Sequence, residues 1–552
     1  MKKLLALTAL ACVALAGVAA AADEDVAALE KRIKELEKRL RPLEVRAATD
    51  RVDFNGDLRF ELHNIDAEVA AYYDGMEFQK NFVNTMFYMN PAFANPMPTS
   101  VGVIDAFAAN PNNYGAYHSF LDNLQFSDLQ AAYAQFASDP ATFQQIMGLL
   151  MQDPDVPVGS YDWKNDIFYT TRLRLNMQAK MGDDVSFAGR LSMYKPWGDS
   201  SGVQVFNGAA SSMNIDGATT RVPNSDLLRV ERAYFNWNNI ADTSLYLSVG
   251  RRPSTGGPPL HLRDDELRAG TPLGTLIDFQ FDGITAGYSL NDHSHLRLCY
   301  GLGYESGFGS AENLKSPADR MKDVHFLGVN WDLYDKDDTF VQGTVARAFD
   351  VTDGFNGLVV MPVNPLTGMS VPAGIVMRYS PSANLGDIDL ASLMAMRQWR
   401  GFDFFASYSY MKSHPDAVTT PFGGLFSDPF DVPQERDGSM FYAGARYGFA
   451  DEKTKVGIEF NQGSQYWFNF SQGADDVFAP KTATRGEVWE LYVTHRITPK
   501  FVAKLDFMDY QYDYSGSGWH LGAPKDLDQQ QMLGFPSYKN ATKMALSLTA
   551  RF

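Results

Sequence analysis

The sequence has almost no cysteine, since only Cys12 and Cys299 occur among 552 residues. If the N-terminal segment is removed, as argued below, only Cys299 remains. No internal disulfide can then form, and an iron–sulfur cluster lacks its ligands. The nine histidines show no H-x-x-x-H spacing, and no C-x-x-C-H motif is present. The usual patterns for zinc and covalent haem are therefore missing, and no cofactor is predicted.

Long apolar runs and basic charge are also scarce. No stretch of eighteen apolar residues follows the first 22, and the mean hydropathy is −0.25. This excludes a bundle of membrane-spanning helices. Acidic residues number 66 against 48 basic residues, for a net charge of −18. Such an acidic chain argues against nucleic acid as a partner and against a polybasic membrane-surface role.

The first 22 residues have the pattern of a secretory signal peptide. Lys2 and Lys3 precede an apolar stretch at 4–18, and residues 19–22 are four alanines that offer A-x-A cleavage sites. The alternative is an uncleaved anchor helix, which the small alanines at its end disfavour. Cleavage would remove two lysines and bring the net charge from −18 to −20.

Residues 23–45 predict a short periplasmic coiled coil. Its apolar positions are spaced 3-4-3-4-3, which is the a/d seam of a heptad pattern: Val26, Leu29, Ile33, Leu36, Leu40 and Leu43. So short a helix is marginal alone in water and needs a partner. One interpretation is an oligomerisation stem that holds a homotrimer together. The other is a single amphipathic helix that rests against the remainder of the chain.

The rest of the chain, residues 50–552, alternates between apolar and polar side chains in paired segments. Short polar turns lie within each pair and longer gaps lie between pairs, which is typical of an outer-membrane barrel. We therefore predict an all-β fold, a transmembrane antiparallel β-barrel of about sixteen strands. The predicted strands are 52–64, 166–181, 184–196, 227–238, 243–253, 278–290, 294–304, 323–333, 338–349, 387–398, 401–412, 438–449, 454–463, 485–497, 500–513 and 541–552.

The last strand ends on Phe552, an aromatic C-terminal signal of the kind that the barrel-assembly machinery would receive. Outer-membrane lipid and lipopolysaccharide would then contact the outer face. Charged side chains must point inward, because Arg or Lys facing lipid at the midplane costs roughly 2–4 kcal/mol. The predicted inward bases are Arg172, Arg174, Lys180, Arg190, Arg232, Arg252, Arg297, Arg446, Arg496, Lys504, Lys543 and Arg551. The inward acids are Asp57, Glu61, Glu459, Glu490 and Asp506.

Two of the gaps are unusual. Residues 65–165 form a hundred-residue extracellular loop with predicted helices at 127–137 and 140–151. Their apolar faces must be buried, so the loop caps the barrel, plugs it in part or contacts a neighbouring subunit; a cap or partial plug is favoured. Residues 253–276 contain a stiff Gly-Gly-Pro-Pro run, and a helical turn could follow it.

The gap at 253–276 is the third long loop of the predicted barrel, and it is the predicted constriction. Its charged residues, which are Arg263, Asp264, Asp265 and Glu266, would face an arginine wall made of Arg172, Arg174, Arg190 and Arg232. Such opposed charges in a narrow passage filter ions. The alternatives are an exposed surface turn for the loop and simple structural ion pairs for the arginines. Asp264–Glu266 and Asp475-Asp476 lack the ligand spacing of an EF-hand, so exposed carboxylates are favoured over a Ca²⁺ site.

Two segments in sequence resemble the central hairpin of large Gram-negative porins. They read Arg-Val-Glu-Arg-Ala-Tyr-Phe-Asn-Trp at 229–237 and Leu-Tyr-Leu-Ser-Val-Gly-Arg-Arg-Pro at 245–253. Together with the stem and Phe552, the chain resembles the porin superfamily, and more closely a family of predicted outer-membrane proteins of similar length. The resemblance implies a diffusion channel with the third loop in the lumen.

We therefore expect a porin in the outer membrane of a Gram-negative bacterium that lets small hydrophilic solutes or ions diffuse, without enzymatic chemistry. One alternative is a plugged structural or surface-interaction barrel without appreciable conductance. Another alternative is a sheath around a periplasmic electron-transfer protein. It is disfavoured because loops folded into the lumen would leave little room for a second protein. The long loop at 65–165 argues against free permeability.

Overall fold

The computed structural model describes residues 34, 38, 52–124, 126–198, 225–306, 316, 320–354, 357–361, 375–379, 381–420, 422–451, 453–529, 532–534 and 536–552. The signal peptide predicted at 1–22 lies outside these residues. Of the coiled coil predicted at 23–45, only Lys34 and Lys38 are described, both in helical conformation.

Sixteen antiparallel strands close into one barrel. In chain order they are β1 (Asp53–Val69), β2 (Tyr161–Lys180), β3 (Val185–Pro196), β4 (Ser225–Trp237), β5 (Leu245–Arg251), β6 (Asp282–Asn291), β7 (Ser294–Tyr304), β8 (Val324–Lys336), β9 (Thr339–Thr352), β10 (Asn384–Trp399), β11 (Phe402–Pro415), β12 (Asp437–Gly448), β13 (Thr454–Gly463), β14 (Gly486–Thr498), β15 (Phe501–Tyr512) and β16 (Tyr538–Arg551). Each predicted strand overlaps one of these, so the predicted fold class and strand number are confirmed.

The barrel closes between its first and last strands. Leu58 of β1 pairs with Ala550 of β16, and the Gly56 N–H donates to the Phe552 carbonyl at 3.1 Å. The turns at one end of the barrel are short, for example two residues between β10 and β11. Phe552 and the start of β1 lie at this short-turn end. The other end carries the long loops.

The outer face is apolar, as a lipid-facing surface requires. Phe54 is 61% exposed and Leu58 is 45% exposed, while the alternate residues Asp57 and Arg59 are buried. Large exposed aromatic residues lie near both ends of the strands. At the short-turn end they are Trp237, Trp399, Phe402, Tyr447, Phe449 and Phe552, and near the long loops they are Tyr161, Trp163, Trp197, Tyr408 and Tyr410. These two girdles are typical of membrane barrels.

The first loop, L1 (70–160), is shorter than the predicted 65–165 because β1 and β2 extend further. It contains α1 (Gly75–Tyr88), α2 (Val101–Ala108), α3 (Tyr114–Asn123), α4 (Phe126–Ala137) and α5 (Pro140–Met151). The helices predicted at 127–137 and 140–151 are confirmed as α4 and α5. The first three were not predicted. Among the described residues, no helix is long and apolar enough to cross a membrane.

The L1 helices bury their apolar faces mainly on one another. Ser100 and Asp139 cap the starts of α2 and α5 through their side chains. Phe82, Ile146 and Leu150 belong to a core that α1, α2, α4 and α5 share. Below them, Tyr133 stacks on Phe430 of loop L6 (416–436) with ring centroids 4.5 Å apart. L1 therefore contacts L6, one of the barrel's inner loops, and its role as a cap or partial plug stays a prediction.

A second core fills part of the barrel itself. Four long loops contribute to it, which are L3 (252–281), L6, L7 (464–485) and L8 (513–537). Phe426, Trp467, Phe468 and Phe470 are fully or almost fully buried there, against inward side chains of β8–β12 such as Ile388 and Met411. One side of the lumen is therefore packed with apolar side chains.

Candidate functional site

L3 enters the lumen because β5 is only seven residues long and ends at Arg251. The loop folds back on itself, with the Thr271 N–H donating to the Pro253 carbonyl at 3.0 Å. Gly257 is required at this point, because a Cβ there would lie 2.0 Å from the Pro272 carbonyl oxygen. The segment that follows forms a series of turns at 258–265, which include Asp264 and Asp265, and not the helical turn that the sequence allowed. The alternative of an exposed surface turn is therefore wrong.

The acids of L3 are bound by bases near the short-turn end. Asp264 accepts from Lys504 at 2.9 Å, and Glu266 pairs with Arg174. Asp265 is shared by three bases at 2.5–3.2 Å, which are Arg446, Lys455 and Arg496. These three acids are therefore not free solvent-exposed carboxylates. Burial alone would raise the pKa of Asp264, but Lys504 and Arg263 outweigh it and hold that pKa well below its usual value.

The arginines of the first hairpin contact both L3 and L7. Arg172 pairs with Asp475 of L7 and, at 3.1 Å, with Asp57 of β1. Arg174 donates to Asp57 at 2.7 Å. Arg59 also donates to Asp475, at 2.8 Å. Arg59 was not among the predicted inward bases, although its alternation with Leu58 is the same signal that identified Asp57.

L7 carries a second set of buried charges. Arg263 of L3 lies 2.7 Å from Asp476 of L7 and 3.4 Å from Glu490 of β14. Lys481 of L7 bridges Glu459 of β13 and Glu490. The two loops are also joined directly, since the Phe470 N–H donates to the Leu276 carbonyl at 3.1 Å. L3 and L7 therefore form one inserted unit.

The expectation of exposed carboxylates at Asp475-Asp476 is wrong, because the two side chains are 1% and 5% exposed. Their partners are the guanidinium groups of Arg59, Arg172 and Arg263, which lie on segments distant in sequence and which local composition does not reveal. Within the described ranges, no group of three or more His, Cys, Asp or Glu residues is arranged to hold a metal ion.

Arg190 and Arg232 lie apart from this network, on β3 and β4. Arg190 donates to Glu231 at 3.1 Å, and Arg232 donates to the carbonyls of Thr255 and Ala269 of L3 at 3.0 and 3.2 Å. Glu231 and Arg232 both point inward although they are adjacent. A shift of register between Arg190↔Arg232 and Leu191↔Val230 places a bulge there.

The eight predicted constriction residues thus fall in two places along L3. Arg172, Arg174, Arg263, Asp264, Asp265 and Glu266 belong to the network near the short-turn end, and Arg190 and Arg232 flank the root of the loop. The acids and arginines are bound to one another or to other partners and do not face each other across open space. The predicted structural pairing of the arginines therefore describes the contacts better than an unpaired transverse field.

One sector of the inner wall is not fully covered by these loops. We call it the polar strip, and it consists of Tyr234, Tyr246, Arg252, Arg297 and Cys299 from β4–β7 and the residue after β5. All five point inward and are partly exposed. The strip ends toward the long loops at Ser192, Glu231 and Thr255, each 1% exposed, where L3 is bonded to the wall.

A closed sixteen-stranded sheet with an apolar belt outside and a charged interior defines an outer-membrane β-barrel of porin-like architecture. Residues 162–552 match the family described as "Protein of unknown function (DUF3373)", and the chain belongs to that family. The family model does not include residues 23–45, so the closer resemblance that invoked the coiled coil stays a prediction. No curated protein matches the chain.

Several solved structures are similar at low superposition scores. OprB of Pseudomonas putida at high pH is 8% identical with a TM-score of 0.40, over 92% of this chain and 96% of that one. In-vitro folded OmpT, an outer membrane protein of Vibrio cholerae, is 11% identical with a TM-score of 0.37, over 91% and 97%. OmpF of Salmonella typhi in complex with daunomycin is 11% identical with a TM-score of 0.39, over 71% and 92%.

Proposed function

We propose that this outer-membrane barrel is a porin through which small hydrophilic solutes or ions diffuse passively, with L3 as its constriction. The observation that carries the proposal is the polar strip. This part of the inner wall keeps tyrosine, arginine and cysteine side chains in partial contact with solvent. A vestibule with such a lining suits hydrated solutes entering from the short-turn end, which we assign to the periplasm.

The distribution of charge inside the barrel also supports a channel. The side of the lumen along β8–β12 is packed with apolar residues, so this chain can fill its interior without ions. Along β1, β2 and β13–β16 buried ion pairs lie beside a smaller apolar core that includes Val488, Met508 and Tyr510. Replacing such pairs with apolar residues is often neutral or stabilising. Their concentration on one side therefore favours a role in ion or solute passage over a role in stability alone.

The constriction lies where L3 is bonded to the wall. Its root is held by Arg190, Arg232 and Glu231, and its tip by the network around Asp264, Asp265 and Glu266. Since these contacts are ionic, passage would depend on how firmly they hold L3. We propose that the eight predicted residues set the width of the passage through their partners and do not act as free charges in an open pore.

A plugged structural barrel is the second candidate. It is favoured by the complete burial of Trp467 and Phe468 in the lumen. Such a barrel would conduct nothing when its loops are in place, and the acidic L1 cap would then be its working surface.

Planar-bilayer recording of the purified chain tests both candidates. The informative variant replaces Asp264 and Asp265 with Asn and Glu266 with Gln, which removes the acceptors for at least five bases. We expect the wild type to give small current steps and the variant to give larger or more frequent ones, because L3 loses its anchors. The matched control replaces three exposed turn acids, Asp183, Asp337 and Asp338, with Asn.

The control removes the same charge from the same end of the barrel without touching L3, so it should behave as the wild type. Silence of both the wild type and the L3 variant, with a heat-modifiable barrel intact, would favour the plugged structure and end the channel proposal. An equal effect of the turn control would show that surface charge, and not L3, governs the current.

A further inference from the structure

Arg252 differs from the other lumen arginines because its guanidinium has no acceptor among the described residues. Nη1 is buried and makes no hydrogen bond, and the group lies over the ring of Tyr234, 5.7 Å from its centroid. The adjacent Arg251 donates to Asp282 at 3.2 Å and to Gln280 at 3.0 Å. We propose that Arg252 anchors an anion-binding site on the polar strip, and that its ligand is a small carboxylate.

The surroundings of Arg252 are cationic and aromatic. Tyr234, Tyr246, Cys299 and the second cation Arg297 lie within electrostatic range of its guanidinium. Arg297 itself is held in place, because its Nε donates to the Tyr246 hydroxyl at 3.2 Å. An anion entering the strip would therefore meet one free guanidinium beside one that is fixed.

The acid that pairs with Arg297 is already shared with a second base. Arg297 donates to Asp332 at 2.8 Å, and Arg268 of L3 lies 3.8 Å from the same carboxylate. Asp332 is 0% exposed, so it serves these two bases and leaves Arg252 unbalanced. The net formal charge of Arg252, Arg268, Arg297 and Asp332 together is two positive charges.

The physical case for a ligand follows from the cost of an unpaired charge. A guanidinium taken partly out of water without an acceptor loses hydration that nothing replaces. A carboxylate restores it with two parallel hydrogen bonds, which the planar fork of arginine fits better than lysine would. The rings of Tyr234 and Tyr246 can contact the apolar part of a small organic acid. The inference deepens the proposed function by naming its solute class, and rests on it only for access through the lumen.

Cys299 is a built-in reporter for this site. Its neighbours Leu298 and Tyr300 are 52% and 39% exposed on the outer face, so Cys299 points inward beside Arg252. We would replace Cys12 with Ser, fold the full chain in detergent at low ionic strength, and measure how fast Cys299 reacts with two methanethiosulfonates. One carries a sulfonate, and the other carries a trimethylammonium group.

Relative to a free thiol, we expect the anionic reagent to be favoured by about tenfold, since a cationic cleft concentrates anions. Acetate at millimolar concentration should slow the reaction. Arg252→Gln should abolish both the preference and the protection. Arg251→Gln removes the same charge one residue away, from a side chain that has a carboxylate partner, and should keep both.

An equal reagent preference in the wild type and Arg252→Gln would overturn the proposal, as would an equal loss in Arg251→Gln. If Cys299 reacts with neither reagent until the barrel is unfolded, the strip is closed to solutes and the proposal also fails. If Cys299 labelling is charge-selective but the bilayer recordings show no current, the anion-site proposal is supported and the porin proposal is contradicted. The two proposals can therefore fail separately.

Discussion

Replacing Lys481 with Met tests whether buried charge holds L7 in the lumen. Its ammonium group contacts Glu459 and Glu490, and all three side chains are 1% exposed. Removing one partner of a buried ion pair costs about 3–5 kcal/mol, because the remaining charge is left unpaired. Arg263 still lies 3.4 Å from Glu490. We therefore expect the lower end of that range, about 3 kcal/mol.

Hydrogen–deuterium exchange of peptides within 464–485 measures this loss locally, without unfolding the whole barrel. A fall of 3 kcal/mol in the free energy of opening should speed exchange of the protected amides by roughly 150-fold. The compensating change is Glu459→Gln in the same chain. The hydroxyls of Tyr442 and Tyr492 that donate to Glu459 can donate equally to the Gln oxygen, so much of the protection should return.

Two results would contradict this reasoning. Unchanged exchange in Lys481→Met would mean that the apolar contacts of Trp467 and Phe468 hold L7 without the ion pairs. Faster exchange in the double variant than in Lys481→Met alone would mean that Glu459 contributes through something other than its charge. Either outcome would weaken the view that loosening ionic contacts can widen the passage.

Two further predictions concern pH and assembly. Burial, with Arg268 and Arg446 nearby, lowers the pKa of His261 in L3 to about 4 from a usual 6.5. The inserted loop therefore favours neutral His261, and its stability falls as pH drops from 6.5 to 4, by about 3 kcal/mol in all. Channel openings should increase over that range in the wild type and not in His261→Gln, because the L3 acids, whose pKa values lie below the usual 3.8–4.5, keep their ion pairs to lower pH. Separately, deleting residues 23–45 should reduce a trimeric mass in detergent to that of one chain, and an unchanged mass would assign the heptads another role.

The strands were predictable because a barrel wall is a local pattern. Alternation between lipid and lumen repeats every two residues, and the penalty for charge in lipid fixes which side is which. The assignment of Asp57, Arg172 and Glu490 to the lumen needed nothing beyond this rule. The turns between paired strands are equally local, since they are short and polar.

Glu231 shows where the rule stops. Strict alternation from the inward Arg232 places Glu231 in lipid, yet a bulge turns both side chains inward. A bulge adds one residue to a strand, and in a strand that already carries several charges the residue types alone do not show where it lies. Its sign in the sequence is the unfavourable lipid-facing acid that strict alternation implies.

The inserted position of L7 was not predictable from its own residues. Asp475, Asp476 and Lys481 look like ordinary surface charges in a polar loop. The partners of the two acids are Arg59, Arg172 and Arg263 on distant segments, and pairing over such separations depends on the closed shape of the barrel. The entry of L3 could be foreseen because its glycines and prolines allow a sharp turn and because the sequence resemblance to porins implied a loop in the lumen.

The contact between Arg59 and Asp475, which are 416 residues apart, has a consequence for biogenesis. Arg59 lies on the first strand, next to the seam where the last strand joins, while Asp475 belongs to a loop that emerges late from the translocation machinery. Because Asp475 pairs with both Arg59 and Arg172 of the first hairpin, we expect the seam to reach its final register together with the entry of that loop. We therefore expect closure of the barrel and insertion of L7 to occur together. A closed barrel without L7 in its lumen should not accumulate as a folding intermediate.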